Sequence, residues 1–345
     1  MVKIKQVPED FIVEEIPKEI VFGSGGYSYY WMRKKGLSTH DAAEIVAKQL
    51  GLRINDIGFA GAKDKKAVTS QMISIKGKFS REILPRQQLF CEFKGFAEEP
   101  VSLGEHNGNI FTITLRDIAE FEADNIIKNA DKLRYLDFLL PNYFDEQRFS
   151  STNIEIGIAL LKKNYPEAVR LIEEQARPDI AVELKDYLHK HPHDFVGALR
   201  LFPRRVLMLY VHSVQSHLFN EIVNTALDGM RCAVVPYSRG EFLFPAVAVE
   251  QKECVVPGFM AEDPLVKELL SRHNLSEDDF INRSLPQLSA ESSTRTLLMK
   301  VENFTISEFN DDEFNQGKKK VVISFKLGRG SYATIVCKFL TAAYD

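Results

Sequence analysis

The chain has 345 residues, 45% of them hydrophobic and 27% charged, with a formal net charge of −4; its mean hydropathy of −0.17 fits a soluble globular protein of about two domains and excludes fibrous, disordered and membrane-spanning classes. The 4 cysteines (Cys91, Cys232, Cys254 and Cys337) form no CxxC pair, so zinc-ribbon and thioredoxin-type motifs lack support and a reducing compartment is expected. A small negative charge argues mildly against a nucleic-acid partner, because phosphate affinity comes from Lys and Arg.

The N-terminus, Met1-Val2-Lys3-Ile4-Lys5-Gln6, lacks the apolar core of a signal peptide. No stretch is apolar for the length a bilayer requires, so a cytoplasmic protein with no membrane contact is expected. Phe11 to Glu15 and Tyr27 to Met32 predict strands, being rich in aromatic and β-branched residues. Ser38 and Asp41 form a capping-box start for a helix that Gly51 stops. Ile57 to Ala60 is a short apolar run and Val68 to Ile75 is strand-like, which puts Gly61-Ala62-Lys63-Asp64-Lys65-Lys66 on a loop between two buried elements. Asn107-Gly108 reads as a turn. Ile110 to Leu115 alternates as a half-buried strand, with Phe111, Ile113 and Leu115 on one face. A helix follows over about Ala119 to Tyr135.

From about Asn153 the texture changes. Ile156 to Lys163, Pro166 to Gln175, Val206 to Leu227 and Asp263 to His273 read as helices, and Arg231 to Val249 as short strands broken at Tyr237-Ser238-Arg239-Gly240. Strand pattern returns over Lys320 to Leu327 and Tyr332 to Lys338. The expected organisation is a β-rich domain built from both ends of the chain, around a more helical insertion from about 153 to 295.

Charge is unevenly distributed. The stretch from Gly58 to Arg81 holds Lys63, Lys65, Lys66, Lys76, Lys78 and Arg81 against Asp64, and Gly317 to Lys338 is basic without an acid. Acids crowd at Asp311-Asp312-Glu313 and Glu277-Asp278-Asp279. One basic face on an acidic protein would suit RNA; scattered, solvated lysines are the plain alternative.

A carboxylate among lysines stays ionised, because nearby positive charge favours the charged form, and ionisation is what a nucleophile needs. On turn preferences alone a solvated turn is the favoured reading of the same residues. Gly61-x-Lys63-Asp64-x-x-Ala67-x-Thr69-x-Gln71 resembles the signature loop of the TruD family of tRNA pseudouridine synthases. Four further blocks resemble that family in order: Lys5-Gln6-Val7-Pro8-Glu9-Asp10-Phe11-Ile12-Val13-Glu14; Leu103-Gly104 with Gly108-Asn109-Ile110-Phe111 and Leu115-Arg116; Asn142-Tyr143-Phe144-Asp145-Glu146-Gln147-Arg148-Phe149; and Gly330-Ser331-Tyr332-Ala333-Thr334. The chain departs from the pattern at Asp145 and Ser150, where glycine is usual, at Gly328, where proline is usual, and at Lys338-Phe339.

The resemblance implies an α+β fold: the pseudouridine-synthase mixed, mainly antiparallel sheet flanked by helices, with an inserted α/β TRUD domain. The domains would be a catalytic part over 1–152, the insertion over about 153–295 and a catalytic part over 296–345, with RNA lying between them. It implies isomerisation of uridine to pseudouridine in tRNA, usually at position 13, by base flipping and aspartate catalysis, with no metal and no small-molecule cofactor. Asp64 would be the catalytic carboxylate. Asn142 would position it or the base, Phe144 would stack on the uracil, and Lys5 would hold the carboxylate charged. Lys63, Lys65, Lys66 and Arg148 would contact RNA. Whether the carboxylate attacks the sugar, attacks the base or removes a sugar proton stays open, as does the oligomeric state, a monomer being favoured. The rival readings are a non-catalytic tRNA-binding module or chaperone, and an unrelated lyase or hydrolase, which would want a second acid beside Asp64. His189, His191 and His193 read as surface loop, and His212 and His217, five apart, make a poor shared ligand face. Gln215-Ser216 with Phe219-Asn220 resembles another family block.

Overall fold

The computed structural model describes residues 2–86, 88–150 and 152–344. The first stretch carries β1 (Phe11–Pro17), β2 (Tyr27–Lys35), α1 (Thr39–Leu50), β3 (Ile57–Phe59), β4 (Val68–Lys76), β5 (Ile83–Arg86), β6 (Leu89–Ala97), β7 (His106–Ile118), α2 (Glu120–Tyr135) and β8 (Leu139–Pro141). The middle stretch carries α3 (Asn153–Leu161), α4 (Tyr165–Gln175), α5 (Pro178–Lys190), α6 (Phe195–Arg200), α7 (Arg204–Ala226), β9 (Cys232–Tyr237), β10 (Gly240–Pro245), β11 (Glu253–Val256), α8 (Pro264–Arg272) and β12 (Ser293–Thr296). The chain returns through β13 (Leu298–Ile306), β14 (Asn310–Asp311), β15 (Lys319–Leu327) and α9 (Ala333–Thr341). Two compact units result: Met1–Leu140 with Met299–Ala343, and Pro141–Leu298 with Tyr344–Asp345.

The first unit is built on an 11-stranded sheet in the order β5-β6-β2-β4-β1-β7-β15-β13-β8, with β3 beside β4 and β14 beside β15. β1 and β4 run parallel, whereas β2 with β4, β2 with β6, β1 with β7 and β7 with β15 run antiparallel. The fold is therefore mixed, mainly antiparallel α+β. Alternation sets the register: Phe111, Ile113 and Leu115 of β7 are buried, and Phe111 faces Phe325 of β15 with ring centroids 5.6 Å apart. Such cross-strand aromatic pairs stabilise a sheet by a few tenths to about 1 kcal/mol. Helix α1 starts where the Ser38 side chain accepts the Asp41 N–H, and it stops at Gly51, whose φ of 69° is left-handed. Its buried Ala42, Ala43 and Val46 pack on Tyr30, Met32, Ile73 and Ile75 of the sheet.

Two local expectations fail here. Asn107-Gly108 is not a turn but the opening of β7, and Gly108 has a φ of 143°. A Cβ there would sit 2.3 Å from the Leu327 carbonyl oxygen, so the glycine serves close strand approach. Tyr332 to Lys338 is not a strand but the start of α9, whose β-branched run is buried at nearly every position. Burial against α2 overrides strand propensity, and the Asn129 amide donates to the carbonyls of Phe339, Leu340 and Ala342 at 2.8–3.2 Å, closing the helix end.

The second unit is organised around the 23-residue α7. Gly157 lets α3 cross it closely, since a Cβ there would lie 2.3 Å from the Tyr210 carbonyl oxygen. β9 and β10 form a hairpin, and β11 pairs with β12. The His189–His193 tract belongs to the exposed end of α5 and the turn after it. Among the described residues, no helix is long and apolar enough to cross a membrane.

Candidate active site

The signature loop joins β3 to β4, and buried polar side chains hold it from beneath. The Thr39 hydroxyl receives the Lys63 backbone N–H at 2.8 Å and donates to Gln71 Oε1 at 2.9 Å. Gln71 Nε2 then donates to the Gly61 carbonyl at 3.0 Å. Lys34, buried inside β2, points its Nζ at three carbonyls, those of Leu37 (2.7 Å), Lys63 (3.3 Å) and Asp64 (3.1 Å). Burial pushes the Lys34 ammonium down to about 8, with nearby Asp64 opposing that shift. Each backbone group fixed in this way is a group that water need not solvate.

Lys63 reaches inward. Its Nζ pairs with Glu15 Oε2 at 2.6 Å, with side-chain exposures of 7% and 0%, and Glu15 Oε1 accepts the Met72 N–H at 3.1 Å. An ammonium so placed holds the loop to β1 and is turned away from the solvent an RNA backbone would occupy. Lys65 and Lys66, by contrast, are exposed.

Asp64 lies at the loop's outer turn with its side chain 42% exposed, open to a substrate, and its Oδ2 accepts from Lys5 Nζ at 2.5 Å. Lys5 is held firmly. Lys3 exchanges both backbone hydrogen bonds with Arg116 at 2.9 Å, and Asp10, on the far side of Lys5, pairs with the Arg116 guanidinium at 2.7 Å. Lys5 itself takes a left-handed φ of 60°, a strained value for a non-glycine residue. Its ammonium sits 4.0 Å from the Phe11 ring centroid, a favourable cation–π contact. Lys5 and Asp64 are thus brought together as the resemblance implies.

Asn142, Phe144 and Arg148 belong to the second unit and are organised there. Asn142 is buried; its amide nitrogen donates to the carbonyl and hydroxyl of Thr296 at 3.2 and 3.1 Å. Its Oδ1 accepts from Arg295 Nη2 at 2.6 Å, and its backbone carbonyl accepts from Arg295 Nε at 3.0 Å. The Arg295 guanidinium lies 4.2 Å from the Phe144 ring centroid, and Phe219 meets that ring edge-on at 5.6 Å. Asn220 of α7 clasps the Phe144 backbone, accepting its N–H at 2.9 Å and donating to its carbonyl at 2.8 Å. Arg148 donates to the Ser216 hydroxyl at 3.2 Å. Phe144 is therefore a half-buried ring seated on α7, and Gln215-Ser216 with Phe219-Asn220 is the helical face that supports it. Asp145 has a φ of −87°, open to any residue, so losing glycine there imposes no strain.

Three bases of the second basic stretch are paired in place. Lys319 pairs with Asp311 at 2.8 Å, Lys320 with Glu313 at 2.5 Å and Lys326 with Glu302 at 2.9 Å. The acid cluster at 311–313 supplies two of these partners because β14 folds back on β15. A cavity of about 360 Å³ elsewhere in the first unit is rimmed by Glu19, Glu98, Glu99 and Glu105, the wrong charge for phosphate.

Arg295, Lys34, Thr39 and Glu15 were not singled out from sequence. Lys34 alone left a trace, since it shares strand parity with the buried Tyr30 and Met32.

Comparison with known proteins identifies the family. The family model described as tRNA pseudouridine synthase D (TruD) matches residues 1–185, 179–244 and 238–340. A protein named "Probable tRNA pseudouridine synthase D 1" from Methanococcus maripaludis is 29% identical over 387 residues, covering 97% of this chain and 98% of the relative. The tRNA pseudouridine synthase D of Aquifex aeolicus is 26% identical over 388 residues, covering 98% of each. The crystal structure of a candidate tRNA pseudouridine synthase D from Methanosarcina mazei shares the fold, with a TM-score of 0.68 at 24% identity over 98% of this chain and 93% of that one. With the family pattern matched along nearly its whole length, and with the aspartate of that pattern held on a fixed loop beside Lys5, the chain belongs to the TruD family of tRNA pseudouridine synthases.

Proposed function

We propose that this protein isomerises uridine to pseudouridine in tRNA, with Asp64 as the catalytic carboxylate. The observation that carries the reading is Asp64 itself: a carboxylate 42% exposed, paired with Lys5, on a loop whose backbone is fixed by buried side chains. A group held in this way does not have to be reorganised when the substrate arrives, which is how positioning lowers a barrier.

The reaction moves the uracil from an N-glycosidic to a C-glycosidic bond, so atoms and electrons balance within the substrate. The target nucleotide is extruded at a cost of a few kcal/mol of unstacking. Asp64 assists cleavage of the glycosidic bond from N1, the freed uracil turns, C5 rebonds to the sugar, and the proton C5 loses is balanced by the one N1 gains. Phe144 offers an aromatic face to the displaced base, worth about 1–3 kcal/mol by stacking. Arg295 and Asn220 keep that ring in place. Asn142 orients the Phe144 segment through Arg295. Lys65 and Lys66 supply RNA contacts, Arg148 steadies the Phe144 loop or meets a phosphate, and Lys63 holds the loop. The proposed target is uridine 13, the position that the family resemblance implies, and a cytoplasmic location goes with that substrate.

The test is incubation of the purified chain with an unmodified tRNA pool, without added cofactor, followed by mapping of pseudouridine. Pseudouridine at one uridine of a subset of tRNAs is expected. A pool left unchanged by folded protein contradicts the proposal, and conversion only at another position refutes the uridine 13 assignment.

A further inference from the structure

Away from these residues, three side chains of the second unit converge with no assigned role. His217 and Glu221 lie one turn apart on α7, and His273 follows the last residue of α8. Nε2 of His217 and Nε2 of His273 approach the same Glu221 oxygen, at 3.0 and 2.8 Å. One donor atom from each residue lies within 4.8 Å of the other two. The side chains are 16%, 27% and 33% exposed for His217, His273 and Glu221, so an ion can reach them from solvent. The sequence pairing of His212 with His217 missed this group, because one ligand comes from the following turn of α7 and another from a helix 52 residues beyond Glu221.

We propose that His217, Glu221 and His273 form a zinc site that pins the end of α8 to the middle of α7. Two imidazoles and a carboxylate match the ligand preferences of Zn²⁺, with water free to complete a tetrahedron. Metal–ligand distances near 2.0–2.2 Å would set the donor atoms about 3.4 Å apart. The two imidazole–carboxylate spacings need to open by only about half an ångström, within reach of small side-chain rotations, and the two imidazoles lie within 4.8 Å of one another. The same two turns of α7 carry Ser216, Phe219 and Asn220 to Arg148 and Phe144, and Phe149 sets its ring 6.2 Å from His217. A bound ion therefore stiffens the helix on which the Phe144 segment rests. It takes no part in the isomerisation.

The test uses the full chain stripped with a chelator, then titrated with Co²⁺ and, in competition with a chromogenic chelator, with Zn²⁺. We expect one ion per chain and a visible cobalt band without thiolate charge transfer, since Cys91, Cys232, Cys254 and Cys337 lie outside the cluster. H273Q and E221Q should each weaken binding more than about tenfold, whereas H189Q, on exposed α5, leaves it unchanged. Should E221Q fail to fold, H273Q decides alone, its fold checked by far-UV circular dichroism. Absence of stoichiometric uptake, a thiolate band, or uptake unchanged in H273Q overturns the proposal and leaves the cluster a hydrogen-bonded clasp. Because the readout is metal uptake, this failure is distinct from failure of the pseudouridine synthase assignment.

Discussion

Replacing Lys63 with methionine separates two roles that its neighbourhood suggests. The side chain is 7% exposed and faces a Glu15 side chain that is 0% exposed. Lys63→Met keeps the stem but leaves the Glu15 carboxylate in a dry site with the Met72 N–H. Removing one partner of a buried pair costs about 3–5 kcal/mol. With a urea m-value of about 3 kcal/mol/M, the unfolding midpoint falls by roughly 1–1.7 M. The chain's single tryptophan, Trp31, lies in β2 opposite Met72 in the same unit, so its fluorescence follows the right transition. Lys63→Met with Glu15→Gln removes both charges and recovers part of the loss. An RNA contact behaves otherwise: stability would hold to within about 0.5 kcal/mol, and the slope of log affinity against log salt would shrink by roughly 0.7–0.9. That pair of results would refute the inward role assigned to Lys63.

Lys34 gives a pH signature. Its folded value of about 8 lies below the unfolded 10.5, so between these values the unfolded chain binds a proton that the folded chain does not, and stability rises with pH. Below about 8 the cost of burying the charge is fully present. The rise amounts to about 3 kcal/mol across the window, and Lys34→Met lacks it; matching midpoint-versus-pH profiles for the two proteins would contradict this. Phe144→Ala should lower kcat/KM by roughly 10- to 100-fold through lost stacking, with Phe144→Tyr near wild type, as steady-state kinetics on a single tRNA will check. Lys65→Ala with Lys66→Ala should weaken tRNA binding and flatten its salt slope by about 1–2, leaving the Trp31 midpoint in place.

The sheet was legible where burial has period two. β7 shows Phe111, Ile113 and Leu115 inward, and α1 carries its own start signal in Ser38 and its stop signal in Gly51. The misreadings at Asn107-Gly108 and at α9 share a cause: local propensity was outweighed by contacts with Leu327 and with α2, distant in sequence. In the site, Asp64 and Lys5 could be read from pattern. The supports could not, because Thr39, Gln71 and Glu15 reach the loop from three other elements, and Arg295 arrives at Asn142 from 153 residues away. Charge was legible as clusters but not as pairs, since the basic run at 318–326 meets its acids only once β14 and β13 fold against β15.

Asp64→Asn, assayed by single-turnover conversion of an unmodified tRNA alongside a binding measurement, bears most directly on the chemistry. Asparagine preserves the backbone carbonyl that Lys34 holds and removes only the charge paired with Lys5. The expected result is tRNA affinity within about tenfold of wild type, with pseudouridine formation reduced on the order of 10⁴-fold or more. Conversion by Asp64→Asn at a rate near that of the unaltered protein would show that another group performs the reaction.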